Sequence, residues 1–265
     1  MPDLSPQHID GRRALVCGAS SGIGRAAALA LARAGVSVVA LARTRSKLIE
    51  LAEEVVETGA PDLEAVPCDL ENTSELELRV DRLIEEGGPI EILVNNAGGP
   101  PGGPLLSANE EDFLSPFRRH LLASHLLVRK LLPGMIERNY GRIINIISIS
   151  VYEPVPNLGV SNTIRGAMAA WAKSLSNELP PGITINNVLP GYTDTDRLHE
   201  LAGEQASRSG RTQSEIRRRW TESVPEGRLL DPCETAAAVV FLASPAAGGV
   251  RGISLPVDGG RLRGI

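Results

Sequence analysis

A glycine-rich turn is the most chemically pointed feature of this 265-residue chain. Gly18-Ala19-Ser20-Ser21-Gly22-Ile23-Gly24 lies between an apolar run, Arg13–Cys17, and an Ala/Leu-rich helical stretch, Gly22–Ala34. Glycines at such a junction permit a tight turn and a close approach of backbone to a pyrophosphate. The first turn of the helix then offers unpaired N–H groups and a favourable dipole to an anion. A glycine-rich turn alone is weak evidence. Here it has the required context, with a strand before it and a helix after it.

The rest of the chain supplies a frame for that turn. Apolar strand-like runs are expected at 37–42, 63–67, 90–95, 142–147, 183–189 and 253–257. Helical patterns fall between them at 46–58, 71–86, 162–179 and 233–243, with a longer one from Phe113 to Asn139 that Pro116 is expected to break. Near-continuous apolar strands alternating with helices predict a parallel sheet covered on both faces. The fold class is therefore α/β, a single doubly wound domain over residues 1–265. Ligands of such sheets sit at the carboxyl ends of the strands. Two stretches interrupt the alternation: the turn-rich loop Gly98–Pro104 and a polar insertion over about 194–226. Long insertions in compact domains often act as lids.

Composition narrows the function classes. Hydrophobic residues make up 42% of the chain, enough for a sizeable core, and the net charge is −5. An acidic balance argues against nucleic acid as a main partner. The three cysteines, Cys17, Cys68 and Cys233, are widely spaced and form no CxxC. They predict neither a disulfide framework nor a metal site, and they suit a reducing cytoplasm. Met1-Pro2-Asp3-Leu4 does not open a secretory signal, and no apolar run is long enough to suggest a membrane span.

Further motifs follow in a telling order. Asp69 comes after the third strand, Asn95-Asn96-Ala97-Gly98 ends the fourth, Pro190-Gly191 ends the sixth, and Val257-Asp258-Gly259-Gly260 lies near the C-terminus. With the Gly-x-x-x-Gly-x-Gly turn, these make the chain resemble the short-chain dehydrogenase/reductase family, and within it the 3-oxoacyl-ACP reductases, over roughly residues 11–262. The resemblance implies a seven-stranded Rossmann sheet and a bound nicotinamide dinucleotide. It places Gly18, Ser20, Ser21, Gly22, Ile23 and Gly24 at the pyrophosphate, and Asp69 and Leu70 at the adenine. Asn96, Ala97, Gly98, Pro190, Gly191, Thr193 and Thr195 would also bind the cofactor, with Thr195 at its carboxamide. Where an acid at the end of the second strand would select the ribose 2′-hydroxyl, this chain has Ala42 followed by Arg43. A guanidinium can pair with a 2′-phosphate, so NADP(H) is favoured over NAD(H). The alternative is that Arg43 and Arg45 are solvated loop charges.

The same resemblance locates a reacting end that differs from the family pattern of Asn, Ser, Tyr and Lys. Ser148 matches the family serine, and Ser161 and Arg165 stand where Tyr and Lys are expected. His120 falls at the place of the Asn. No shifted register restores the motif: four residues after Tyr140, Tyr152 and Tyr192 come Ile144, Pro156 and Asp196. An alcohol is far less acidic than a phenol of pKa about 10, so proton transfer suffers while Arg165 can still bond the ribose. His120, with an ordinary pKa of about 6.5, or Tyr152, near the mouth of the site, could take over the proton. The plain alternatives are a hydrogen-bonded core histidine and a tyrosine in the pocket wall.

The insertion carries Arg208, Arg211, Arg217, Arg218 and Arg219, with Glu204 and Glu215 among them. It reads either as a basic lid for an anionic substrate or as a solvated helix face. Leu198, Leu201 and Trp220 are expected on its apolar underside. The resemblance also implies pairing of the helices near 121–132 and 167–175 across a two-fold axis, giving a homodimer or homotetramer. Two functions compete, with a lyase, dehydratase or isomerase that uses the pocket without net redox change as a third. One is a carbonyl/alcohol oxidoreductase with altered proton delivery, acting on a small molecule. The other is a non-catalytic dinucleotide-binding sensor or assembly protein.

Overall fold

The computed structural model describes residues 9–61 and 63–264, so the expectation about the first four residues lies outside it. Seven parallel strands form one sheet. They are β1 (Arg13–Cys17), β2 (Ser37–Ala42), β3 (Glu64–Pro67), β4 (Ile92–Asn95), β5 (Gly141–Ile146), β6 (Ile183–Pro190) and β7 (Ser254–Val257). Their spatial order is β3-β2-β1-β4-β5-β6-β7. The order reverses between β1 and β4, and a crevice opens there at the carboxyl ends of the strands.

Alternate residues of each strand feed two apolar layers, as the pleat requires. Ala14 and Val16 of β1 join α1 (Gly22–Arg33), α2 (Arg45–Glu57) and α9 (Pro232–Ala243) on one face. Leu15 and Cys17 face α3 (Thr73–Gly87), α5 (Ala123–Glu137) and α6 (Gly159–Glu178) on the other. Leu31, Leu48, Leu76 and Leu127 are among the fully buried side chains. Each contributes about 2 kcal/mol by leaving water.

Pro116 does not break the long helix. α4 (Glu110–Phe117) runs on through a widened π turn, Arg118–Leu122, into α5. Pro116 has no N–H to donate, and the helix widens just past it instead of ending. The turn carries His120 inward, to 4% exposure. α6 begins three residues before the expected start, so Ser161 and Arg165 both lie on it, four residues apart on one face.

A linked polar row crosses four strands of the sheet. Asn95, Asn145, Asn187 and Ser254 sit opposite one another on β4 to β7. Each asparagine donates to the next residue, at 2.8, 2.9 and 3.0 Å. The links satisfy the amides of Asn145 and Asn187, while Asn95 Oδ1 at the end of the row is buried without a partner. The polar insertion is two helices, α7 (Asp196–Ser209) and α8 (Gln213–Glu222). Among the described residues no helix is long and apolar enough to cross a membrane, and no cluster of potential metal ligands occurs.

Candidate functional site

One cavity of about 390 Å³ runs along the carboxyl ends of the strands, from Arg43 and Asp69 at one end to Ser148, Ser161 and Arg165 at the other. Its two ends are built differently.

The first end is made of backbone. Gly18 has φ +62°, and a Cβ there would lie 2.6 Å from Asn96 Nδ2. At Gly24 a Cβ would lie 2.2 Å from the Gly18 carbonyl oxygen. Neither position accepts a side chain. Asn96 fixes the turn by donating to the carbonyls of Cys17 and Gly18 at 3.3 and 3.4 Å. Ser21, the N-cap of α1, makes no side-chain capping bond. The first N–H groups of α1 therefore face a cavity lined by Ser20, Ser21, Gly22 and Ile23. The opposite wall is equally tight: a Cβ on Gly191 would lie 2.7 Å from the Asp258 Cα. Asp69 accepts from the Glu71 N–H at 3.0 Å and lines the cavity with Leu70. Arg43 is exposed at the rim. Ala97, Gly98, Pro190, Thr193 and Thr195 complete the lining. Thr195 caps α7 by accepting from the Leu198 N–H at 3.3 Å and donates to the Thr193 carbonyl at 3.3 Å. A slot whose floor is glycine backbone at Gly18, Gly24 and Gly191, ending on uncapped helix N–H groups, fits an extended dinucleotide with its pyrophosphate on α1.

The second end is made of side chains. Ser148 closes β5, and its Oγ accepts from the Ser150 N–H at 3.0 Å. Its own proton has no acceptor among the described residues, so it is free for a ligand. Ser161 is half-buried in the wall. Arg165 is buried and donates to the carbonyls of Ile146 at 3.0 Å and Ala97 at 3.4 Å. Burial, then the neighbouring charges of Arg119 and Arg197, push its pKa down to about 10, so it stays cationic at neutral pH.

His120 lies behind Arg165, in a smaller cavity adjoining the main one, and does not line the main cavity. Its Nε2 is 3.2 Å from the Gly98 carbonyl, which can only accept, so Nε2 carries the proton. Nδ1 then presents a lone pair to Arg165 Nη1 at 3.5 Å. Burial, then Arg165 and Arg119, hold the ring well below its ordinary pKa. It is a neutral bridge between Gly98 and Arg165, and the expectation of an acid or base titrating near 6.5 is corrected accordingly. Tyr152 does not line the cavity either. It is 56% exposed, and its hydroxyl donates to the Ser254 carbonyl at 3.4 Å. The chain turns it outward after Ser148, which places its phenol away from the reacting end.

Two residues that sequence reasoning missed, Arg119 and Arg197, line the cavity. The only signal was proximity, one residue before His120 and two after Thr195. Arg197 also ties α7 to the glycine-proline loop by donating to the Pro100 carbonyl at 2.7 Å. Arg208 donates to the Gly102 carbonyl at 2.6 Å, and Glu204 accepts from the Gly102 N–H at 3.2 Å. None of the five arginines singled out in the insertion lines the cavity. Arg217 pairs with Asp194 at 3.0 Å and Arg218 with Glu222 at 3.6 Å. Leu198 and Leu201 do face inward. Trp220 stacks on Tyr192, with ring centroids 5.1 Å apart.

Comparison with known proteins agrees with this architecture. Residues 18–261 match the family model described as Enoyl-(Acyl carrier protein) reductase. The chain is 33% identical to the 3-oxoacyl-[acyl-carrier-protein] reductase of Vibrio cholerae serotype O1, over 96% of this chain and 98% of the relative. Among solved structures it resembles the L-sorbose reductase of Gluconobacter frateurii complexed with NADPH and L-sorbose. That match has a TM-score of 0.92 and 30% identity, covering 98% of this chain and all of the other. It also resembles an actinorhodin polyketide ketoreductase with NADPH, with a TM-score of 0.89 and 32% identity over 94% of this chain and 97% of the other. Sequence, sheet order and glycine cradle lead to one assignment: the chain belongs to the short-chain dehydrogenase/reductase family.

Proposed function

We propose that the protein is an oxidoreductase that interconverts a carbonyl and a secondary alcohol with a nicotinamide dinucleotide, NADP(H) in preference to NAD(H). One observation carries the reading. The glycine cradle with its uncapped helix end opens into the same cavity as the free hydroxyl of Ser148. Two similar solved structures contain NADPH, and Arg43 at the rim suits a 2′-phosphate.

The dinucleotide, when bound, supplies or accepts the hydride. Ser148 donates a hydrogen bond to the substrate oxygen, keeping its own proton, and orients the carbonyl. Arg165 stabilises negative charge developing there, in a site where burial strengthens the interaction. Ser161 is too weak an acid to act as a phenol would. It orders a solvent water that delivers the proton to the substrate oxygen in reduction, or takes it up in the reverse direction. His120 positions Arg165 from behind. Helices α7 and α8 serve as a lid over the nicotinamide end, clasped to the Gly98–Pro104 loop. The proposed assembly is a dimer or tetramer through α5 and α6. Light scattering coupled to size exclusion measures this directly, and a monomer would overturn it.

The test is NADPH oxidation against ketones, aldehydes and β-ketoacyl thioesters, with Ser148→Ala beside the unmodified protein. Turnover should fall by about 10²–10⁴-fold in the variant while cofactor affinity stays within about twofold. Unchanged turnover would overturn the role of Ser148. A second reading, a dinucleotide sensor without turnover, is favoured by Arg165, which has Nη1 and Nη2 each donating to a backbone carbonyl, of Ile146 and Ala97, and leaves fewer donors for a substrate. Tight cofactor binding with no oxidation of NADPH by any carbonyl would support it.

A further inference from the structure

The reacting end holds more positive charge than carbonyl polarisation needs. Arg165 is buried, and no carboxylate lies within ion-pair distance of it among the described residues. Its partners are two backbone carbonyls and a neutral histidine. A buried charge normally has a counter-ion, because desolvation is otherwise uncompensated. Arg119 and Arg197 line the same cavity, and both act on Arg165 as like charges. Both carry ion pairs through one nitrogen, Arg119 Nη1 with Glu71 at 3.2 Å and Arg197 Nη1 with Glu200 and Glu204 at 3.2 and 3.5 Å, so the charge left without a carboxylate is that of Arg165. Arg119 Nε is buried with no hydrogen-bond partner. The two acids that line the cavity do not supply the missing charge. Asp69 follows β3, at the far end, and Asp196 is exposed at the start of α7.

We propose that the missing counter-ion is the substrate itself, a small keto acid or hydroxy acid whose carboxylate is held among Arg165, Arg119 and Arg197 while its carbonyl or alcohol oxygen meets Ser148. Guanidinium groups present paired N–H donors that match a carboxylate, so the cluster can orient the substrate as well as attract it. The other anions that enter the cavity are the cofactor's pyrophosphate and 2′-phosphate. On this reading they have their own places, at the α1 N-terminus and at Arg43, so the carboxylate site belongs to the cofactor-loaded protein. The inference rests on the oxidoreductase reading for the identity of the reacting group, but the anion site can be tested without turnover.

The experiment is calorimetric titration of the protein saturated with NADP⁺, a form that cannot reduce a ketone. Acetoacetate and levulinate are compared with their methyl esters. The acids should bind about tenfold more tightly than the esters, a difference that one charge-assisted contact can supply. The preference should shrink with added salt and fall below about threefold in Arg165→Gln and in Arg197→Gln. Arg197→Gln lies on the partly exposed α7 and keeps the test decisive if Arg165→Gln does not fold. Equal binding of acid and ester, no binding of either at millimolar concentration, or a preference that survives Arg197→Gln and Arg119→Gln would overturn the proposal. Acid-selective binding without NADPH oxidation would remove the oxidoreductase reading and leave the anion site. NADPH oxidation with equal KM for acid and ester would do the reverse.

Discussion

The two ends of the cavity solve different problems. At the dinucleotide end the recognition surface is main chain: N–H groups of α1, the turn from Gly18 to Gly24, and Gly191 against Asp258. At the reacting end it is side chain: Ser148, Ser161, and Arg165 backed by His120. A backbone site tolerates almost no substitution, because an added Cβ collides with main chain. A side-chain site can exchange its groups and keep its shape, because α6 and β5 hold the positions whatever residues occupy them. The difference teaches that cofactor binding and carbonyl chemistry can be separated in this molecule, and each prediction below acts on one end alone.

The largest effect is expected at Gly24. Its added side chain would meet the Gly18 carbonyl at 2.2 Å, which is backbone that cannot yield cheaply. Gly24→Val should weaken NADPH binding by more than about 100-fold in a fluorescence titration, because it destroys the turn rather than one contact. Binding within about fivefold of the unmodified protein would contradict a backbone-built cradle. A smaller effect is expected at Arg43. Removing one exposed guanidinium from a phosphate, as in Arg43→Ala, should cost about tenfold in NADPH affinity and leave NADH affinity nearly unchanged. Equal losses for both cofactors would show that Arg43 does not read the 2′-phosphate.

The smallest effect concerns His120, a pH signature. Its folded pKa lies well below the ordinary 6.5, so the unfolded chain takes up a proton in a range where the folded one does not. Its contribution to stability is therefore full above about pH 6.5 and is lost as pH falls towards the folded pKa. Thermal melts from pH 7 to 5 should show a shallower decline for His120→Gln than for the unmodified protein. Parallel declines would mean that the ring is not held neutral.

The same division explains what the sequence made legible. Strand–helix alternation announced the sheet, and the glycine spacing announced the cradle, because both depend on backbone geometry that residue type records directly. The path of the chain past Pro116 was not legible. A proline signals a break, and only the packed structure reveals that a wide turn absorbs it and carries His120 inward. The asparagine row was not legible, because its alignment depends on register across β4, β5 and β6. Arg119 and Arg197 looked like ordinary surface charges, since nothing local distinguishes an arginine that faces a cavity from one that faces water. The insertion was read as polar and lid-like, yet the arginine of that region that lines the cavity is Arg197, at its first turn.

The most direct test of the central claim is single-turnover oxidation of NADPH by the unmodified protein, run beside a Ser161→Tyr/Arg165→Lys double variant, against keto acids and neutral ketones. Oxidation by the unmodified protein is expected, with Ser148 holding the substrate oxygen and ordered water delivering the proton, and a faster reaction in the double variant with its selectivity for keto acids reduced. Oxidation by the double variant alone would contradict it, and would mean that a competent scaffold binds the dinucleotide without using it for redox chemistry.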